Sequence, residues 1–377
     1  MCEIIYNPYY SKYSLGKEHP FDPRRAEMTI DLLDELGVLK KPLIPEPVTP
    51  EDLTRVHDRE YIDAVESASC GKEIPGLEKF GLGTVDNPIV KGMAEGARYH
   101  VGGTVLGARL LIQDKAKRVL QFGGGFHHAR RSSAEGFCIY NDLALAINEM
   151  TSAGWHIVYL DIDVHHGDGV QEIFYSDDKV MTISIHESGE YLFPGTGWLH
   201  ELGKGMGRSL KLNLPLEPFT EGDSYLDVME SVLSRALQWF KPDALIVQAG
   251  ADAHFSDPLA DLMLTARDFE KIFRKILEFT DMFCGGKVLF TLGGGYSLPV
   301  VFRIWTLLYC ILFDSDIPES LPEIWRLRWQ EKTGKELPRF LYDPDHAYET
   351  IPRKAEISRS NKELIRRLLD AVSPDWL

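Results

Sequence analysis

Five apolar segments with a common kind of ending constrain this chain more than any other feature. They are RVLQFGGG (118–125), HIVYLDID (156–163), KVMTISIH (179–186), DALIVQAGAD (243–252) and KVLFTLGGGY (287–296). Each is rich in Val, Ile and Leu, as in parallel strands covered on both faces, and each runs out into polar or glycine-rich residues. Helical patterns such as NDLALAINEMTSAG and LDVMESVLSRALQWF lie between several of them. The arrangement predicts an α/β fold: a mostly parallel central sheet with helices on both faces. Open sheets of this kind place ligand sites outside the C-terminal ends of their strands, so the chemistry is expected there. The first stretch of about 100 residues predicts helices and loops around the edge, with HPFDPRRAEMTIDLLDELGVL leading from a loop into an amphipathic helix. The late EISRSNKELIRRLLDAV predicts a helix packed on the body. There is no repeat, low-complexity tract or linker, so residues 1–377 are expected to form one domain.

Composition narrows the class further. No run approaches the roughly 18 apolar residues of a membrane span. The start MCEIIYNPYY lacks a basic region followed by an apolar core, and a cytoplasmic protein is expected. Five scattered cysteines without a CxxC predict reduced thiols rather than a disulfide framework or a thiolate zinc site. A net charge of −16, from 57 acidic against 41 basic residues, weighs against nucleic-acid binding.

The stretch LDIDVHHGDGV (160–170) gathers three aspartates and two histidines directly after an apolar run. In an extended segment, Asp161, Asp163 and His165 would project to one side, where a carboxylate and an imidazole can share a metal ion. A His and an Asp on a loop need no such role, but here the ending AGAD supplies Asp252 from another strand. Asp163, His165 and Asp252 then form a mixed oxygen and nitrogen set with positions left open for water and substrate. GGGFHHARR adds the adjacent His127 and His128, for which Asp161 and Asp168 are the candidate orienting carboxylates. Tyr296, after three glycines, is either a core aromatic or a hydroxyl donor to an oxyanion. The glycines would let its loop swing inward. Neither glycine run has the spacing of a dinucleotide fingerprint or a P-loop. His166 is expected to be structural, bonded to neighbouring backbone.

Taken together and in order, GGGFHHARRSSAEGFCIYND, DIDVHHGDGVQEIFY, SIHESGEYLFPGTG, AGAD and GGGY resemble the histone deacetylase superfamily. EHPFDPRR, VHDREYI, GLGTVDNP and IPRKAEIS extend the likeness over almost the whole chain, toward the acetoin-utilization group of bacterial members. Asp168 in HHGDG is the class I form rather than the class II Asn. The resemblance implies the arginase-like fold. It implies a catalytic zinc on Asp163, His165 and Asp252, with iron(II) as the alternative metal, and places His127, His128, Asp161, Asp168 and Tyr296 in the catalytic machinery. It implies a potassium ion held by backbone oxygens of Asp161, Asp163, His165 and Ile185 and by the Ser184 side chain. It further implies a substrate tunnel walled by Phe137 and Phe193, with Gly136 leaving room for the alkyl chain and Asp86 gripping substrate amides at the rim.

The implied reaction is hydrolysis of Nε-acetyl-lysine in a protein, such as acetyl-CoA synthetase, to acetate and free lysine. An acetylpolyamine deacetylase would share the chemistry, an arginase-type hydrolase would need a second metal set, and a silent acetyl-lysine binder should have lost Tyr296 or a dyad histidine.

Overall fold

The computed structural model describes residues 1–376; Leu377, the end of the expected domain, lies outside them. Among the described residues there are seven strands: β1 (Cys2–Ile5), β2 (Arg118–Gln121), β3 (Ile157–Asp161), β4 (Val180–Glu187), β5 (Lys211–Leu216), β6 (Ala244–Gln248) and β7 (Val288–Thr291). They form one sheet in the order β1-β2-β7-β6-β3-β4-β5, and every neighbouring pair is parallel.

Side-chain alternation along the strands divides the core in two. In β3, Val158 and Leu160 join the cluster under the helices Arg24–Glu35, Gly222–Phe240, Ala266–Phe283, Leu298–Phe313 and Lys354–Val372. Ile157 and Tyr159 join the opposite cluster under the helices Arg59–Ser69, Met93–Ile112 and Asp142–Ser152. Helices therefore cover both faces, which is why these strands carry apolar residues at successive positions. Each fully buried Leu or Ile contributes roughly 1.5–3 kcal/mol by leaving water.

Two strands differ from the expected plan. The N-terminal region is not only helices and loops: Cys2–Ile5 pairs with Arg118–Gln121 at one edge. Its four residues are too short to produce a pattern of their own. At the other edge, KLNLPL (211–216) reads as a broken apolar run. Leu212, Leu214 and Leu216 enter the core, and Pro215, which lacks a backbone donor, is tolerated at an edge. All five cysteines are free, and no helix of the described residues is long and apolar enough to cross a membrane.

Candidate metal centre and tunnel

The parallel sheet brings the ends of β2, β3, β6 and β7 to one edge, and the chemistry-bearing residues lie there. Asp161 ends β3, while Asp163 and His165 follow in the loop. Asp252 lies beyond β6, His127 and His128 beyond β2, and Tyr296 beyond β7. One ligand atom from each of Asp163, His165 and Asp252 falls within a cluster no wider than 4.8 Å, and all three residues are buried. His165 Nδ1 stands 3.0 Å from Asp163 Oδ1 and 3.4 Å from Asp252 Oδ2.

Electrostatics mark this cluster as a cation site. Burial disfavours a charged His165, yet the two carboxylates outweigh it and raise the imidazole to about 10. Burial and repulsion from Asp163 push Asp252 up to about 7. Asp252 Oδ2 is buried without a hydrogen-bond partner, with His165 Nδ1 3.4 Å away, so once that nitrogen is neutral and free to ligate, the oxygen needs another positive group. A divalent ion fits these donors.

The two histidines sit in separate dyads. His127 Nδ1 is 2.8 Å from Asp161 Oδ2, which also accepts the Tyr159 hydroxyl at 2.5 Å. His128 Nδ1 is 2.7 Å from Asp168 Oδ1, whose second oxygen accepts Arg130 Nη2 at 2.7 Å. Burial lowers the basicity of both rings. Asp161 and Asp163 overcome it for His127 and raise that ring to about 9, whereas for His128 the neighbouring His127 and His165 add to it and the ring falls well below its ordinary value.

A cavity of about 200 Å³ leads to this centre, lined by Asp86, His128, Gly136, Phe137, His165, Leu192, Phe193, Leu259 and Tyr296. Phe193 packs edge-on to His128 with ring centroids 5.0 Å apart, and Phe137 edge-on to Tyr296 at 5.5 Å. Phe137 has φ +68°, a costly conformation for an L residue, and its carbonyl accepts the Tyr13 hydroxyl at 2.6 Å. A Cβ on Gly136 would run into the His128 ring and Phe193, so this glycine makes room for that imidazole beside the cavity. Asp86 is exposed at the mouth, and His19 Nε2 holds its carbonyl at 3.2 Å.

The glycines before Tyr296 allow close approach. A Cβ on Gly294 would collide with the carboxylates of Asp163 and Asp252. The loop is held along its length: Arg25 Nη1 donates to the carbonyls of Gly293 (2.8 Å) and Gly295 (2.6 Å), Ala251 N to Gly294 O (2.9 Å), and Tyr296 N to Asp257 Oδ2 (2.8 Å). Burial pushes the Tyr296 hydroxyl well above its ordinary pKa, so it is a donor at neutral pH.

Ser184 lies beside Asp161 in register, and Ile185 follows it, buried. His186 Nε2 faces the Gly197 carbonyl at 3.1 Å and must carry the hydrogen, because burial keeps the ring neutral. Its Nδ1 therefore accepts from Ser184 Oγ at 2.8 Å, leaving the hydroxyl oxygen free to face a cation. That orientation fits a potassium ligand. His166 bonds a side chain, Thr196 Oγ1 at 2.9 Å, rather than neighbouring backbone.

Several residues that shape the site were not singled out from sequence. Gln248 Nε2 donates to Asp163 Oδ2 at 2.6 Å. Asp142 accepts the backbone N–H groups of Gly125 (3.0 Å) and Phe126 (2.8 Å), fixing the loop that carries the paired histidines. Asn141 caps the helix Asp142–Ser152 and donates to Ala129 O at 2.8 Å. The Asn-Asp pair was visible as a helix-start signal; nothing local announced Gln248 or Arg130.

Comparison with known proteins accords with this geometry. The histone deacetylase domain family matches residues 19–312. The acetoin utilization protein AcuC of Bacillus subtilis (strain 168) is 40% identical over 375 residues, covering 98% of this chain and 97% of that protein. AcuC of Staphylococcus aureus (strain MRSA252) is 35% identical over 367 residues, covering 96% and 94%. The crystal structure of an HDAC homolog from Aquifex aeolicus superposes with a TM-score of 0.85 at 29% identity, covering 96% of this chain and 99% of that one. An HDAC homolog complexed with SAHA gives 0.86 at the same identity.

Proposed function

The chain belongs to the histone deacetylase family, and on that footing we propose that it hydrolyses Nε-acetyl-lysine in a protein to acetate and free lysine. The observation that carries this reading is the buried Asp163–His165–Asp252 cluster, whose His165 lines the same cavity as Phe137 and Phe193.

Asp163, His165 and Asp252 would hold zinc, with iron(II) as the alternative because mixed nitrogen and oxygen ligation selects weakly between them. When bound, the ion supplies Lewis acidity for the acetamide carbonyl and lowers the pKa of a water. The chain's residues do the rest. Phe137 and Phe193 enclose the four-carbon lysine stem, Gly136 leaves space beside it, and Asp86 takes the substrate's backbone amides at the mouth. His127 and His128, oriented by Asp161 and Asp168, manage the protons: His128, whose ring is neutral, takes the proton from the attacking water, while His127, held charged by Asp161, stands beside it. As the C–N bond breaks, His128, which lines the cavity, returns a proton to the amine. Tyr296 donates its hydroxyl hydrogen to the developing oxyanion. Potassium, on the Ser184 hydroxyl and backbone oxygens of Asp161, Asp163, His165 and Ile185, would steady the loop that carries the ligands.

The bacterial relatives are named for acetoin utilization, which supports a metabolic enzyme such as acetyl-CoA synthetase, in the cytoplasm, as the acetylated partner. The test is hydrolysis of an acetyl-lysine peptide without NAD, abolished by a chelator, restored by zinc and inhibited by a hydroxamate. Acetylpolyamines cleaved far better than any peptide would overturn the substrate. Two tightly held metal ions with agmatine hydrolysis would overturn the reaction. Comparing the acetyl-lysine proteome with and without the gene identifies the partner.

A further inference from the structure

The matched family domain ends at residue 312, yet a residue well beyond it reaches into the interior behind the metal centre. Asp343 is bonded from three directions. Arg303 Nη1, from the helix that begins just after Tyr296, donates to its Oδ1 at 2.8 Å. Its Oδ2 accepts the Ala266 N–H at 2.8 Å and lies 3.0 Å from His254 Nε2. The tautomer of His254 follows from its other nitrogen: Nδ1 accepts the Ser256 N–H at 3.2 Å, so Nε2 carries the hydrogen and donates it to Asp343. His254 and Arg303 are buried, leaving their partner to meet needs that water cannot.

His254 lies two residues after Asp252 and opens the turn that supports Tyr296. Asp257 N donates to His254 O at 2.9 Å, and the Asp257 carboxylate in turn accepts the Tyr296 N–H at 2.8 Å. Asp343 thus grips one end of a short segment that carries a metal-ligand candidate before His254 and the anchor of the oxyanion donor after it. Through Arg303 it also grips the helix that follows Tyr296.

We propose that Asp343 is a positioning residue: the segment after residue 312 acts, through the Arg303–Asp343–His254 bridge, to set Asp252 and Tyr296 in register with each other. The inference rests on reading Asp252 as a metal ligand. It makes the C-terminal segment part of the metal site's architecture rather than an appendage to a complete domain. Removing the carboxylate leaves the Arg303 charge buried without its partner, which the surrounding structure must move to relieve. That movement falls on the loop holding Asp252.

The test measures zinc affinity by chelator competition together with kcat and KM on an acetyl-lysine peptide, using the full chain. Asp343→Asn keeps the volume and removes the charge. His254→Leu keeps the Arg303–Asp343 pair and breaks only the link to the loop, and it serves alone if Asp343→Asn does not fold. Both are expected to weaken zinc binding about tenfold and to lower kcat with KM little changed. The control is Leu368→Ala, which opens a cavity under the C-terminal helix away from this bridge and should lower the melting temperature without changing zinc affinity. Zinc affinity within twofold of wild type in His254→Leu, or a loss in Leu368→Ala as large, overturns the proposal. A wild-type chain that binds no zinc would instead overturn the metal reading on which it stands.

Discussion

Gln248 Nε2 donates to Asp163 Oδ2 at 2.6 Å, joining the last residue of β6 to a carboxylate in the loop after β3. The other oxygen, Oδ1, accepts the His165 N–H at 3.0 Å. The two bonds fix the plane of the carboxylate, so Gln248 is placed to prepare Asp163 for the proposed role of metal ligand. Replacing it with leucine keeps the bulk and removes the donor. We predict that Gln248→Leu weakens zinc binding by about 10- to 100-fold, the usual effect of losing a partner that orients a ligand. Chelator competition reads it; unchanged affinity in a folded variant removes Gln248 from the site.

Gly294 gives a steric counterpart. Its missing Cβ leaves room for the carboxylates of both Asp163 and Asp252. Gly294→Ala should fold with its sheet intact but hold less than a tenth of the wild-type metal content, because the methyl group displaces two ligands together. Elemental analysis beside circular dichroism separates the two effects. Full metal loading would show that the loop yields where the hydrogen bonds indicate it does not.

Tyr296→Phe removes one hydroxyl while leaving the ring against Phe137. A loss on the order of 100- to 1000-fold in kcat is expected, with KM little changed, since the bond matters most as the oxyanion forms. Near-normal kcat in metal-loaded protein would take Tyr296 off the catalytic list.

Lys211 supplies a pH prediction away from the centre. It is buried in β5, where Nζ donates to Val180 O at 2.6 Å and Asp177 O at 3.4 Å, and burial lowers it from its ordinary 10.5 to about 7. Between pH 7 and 10.5 the unfolded lysine stays protonated while the folded one does not, so this residue makes stability rise with pH. Below pH 7 both forms are protonated and its slope vanishes. Urea unfolding at pH 7, 8 and 9 should show wild type gaining up to about 1.4 kcal/mol per pH unit relative to Lys211→Met. Parallel curves for the two proteins would contradict it.

What could be read in the chain, and what could not, follows from where the interactions lie. Asp161, Asp163, His165 and Asp168 occupy one short stretch, and their spacing was enough to suggest a metal set and two histidine partners before any coordinates. The covered parallel sheet was readable too, because burial on both faces leaves continuous apolar runs. β1 escaped notice because four residues make no pattern, and β5 because Lys211, Asn213 and Pro215 interrupt its leucines.

By itself the sequence determined the composition of the site: which donors are present, and that strand ends would deliver them to one edge of a sheet. Only the tertiary structure decided their partners. β6 is the neighbour of β3, with Asp161 opposite Gln248 in register, and that strand order brings Gln248 to Asp163 although 85 positions separate them in the chain. The same holds for Asp343 and His254, 89 positions apart. Local spacing follows from bond lengths and dihedral angles that every chain shares. Contacts between distant segments follow from which strands lie side by side and which buried polar groups are left needing a partner, and those are settled only when the whole core closes.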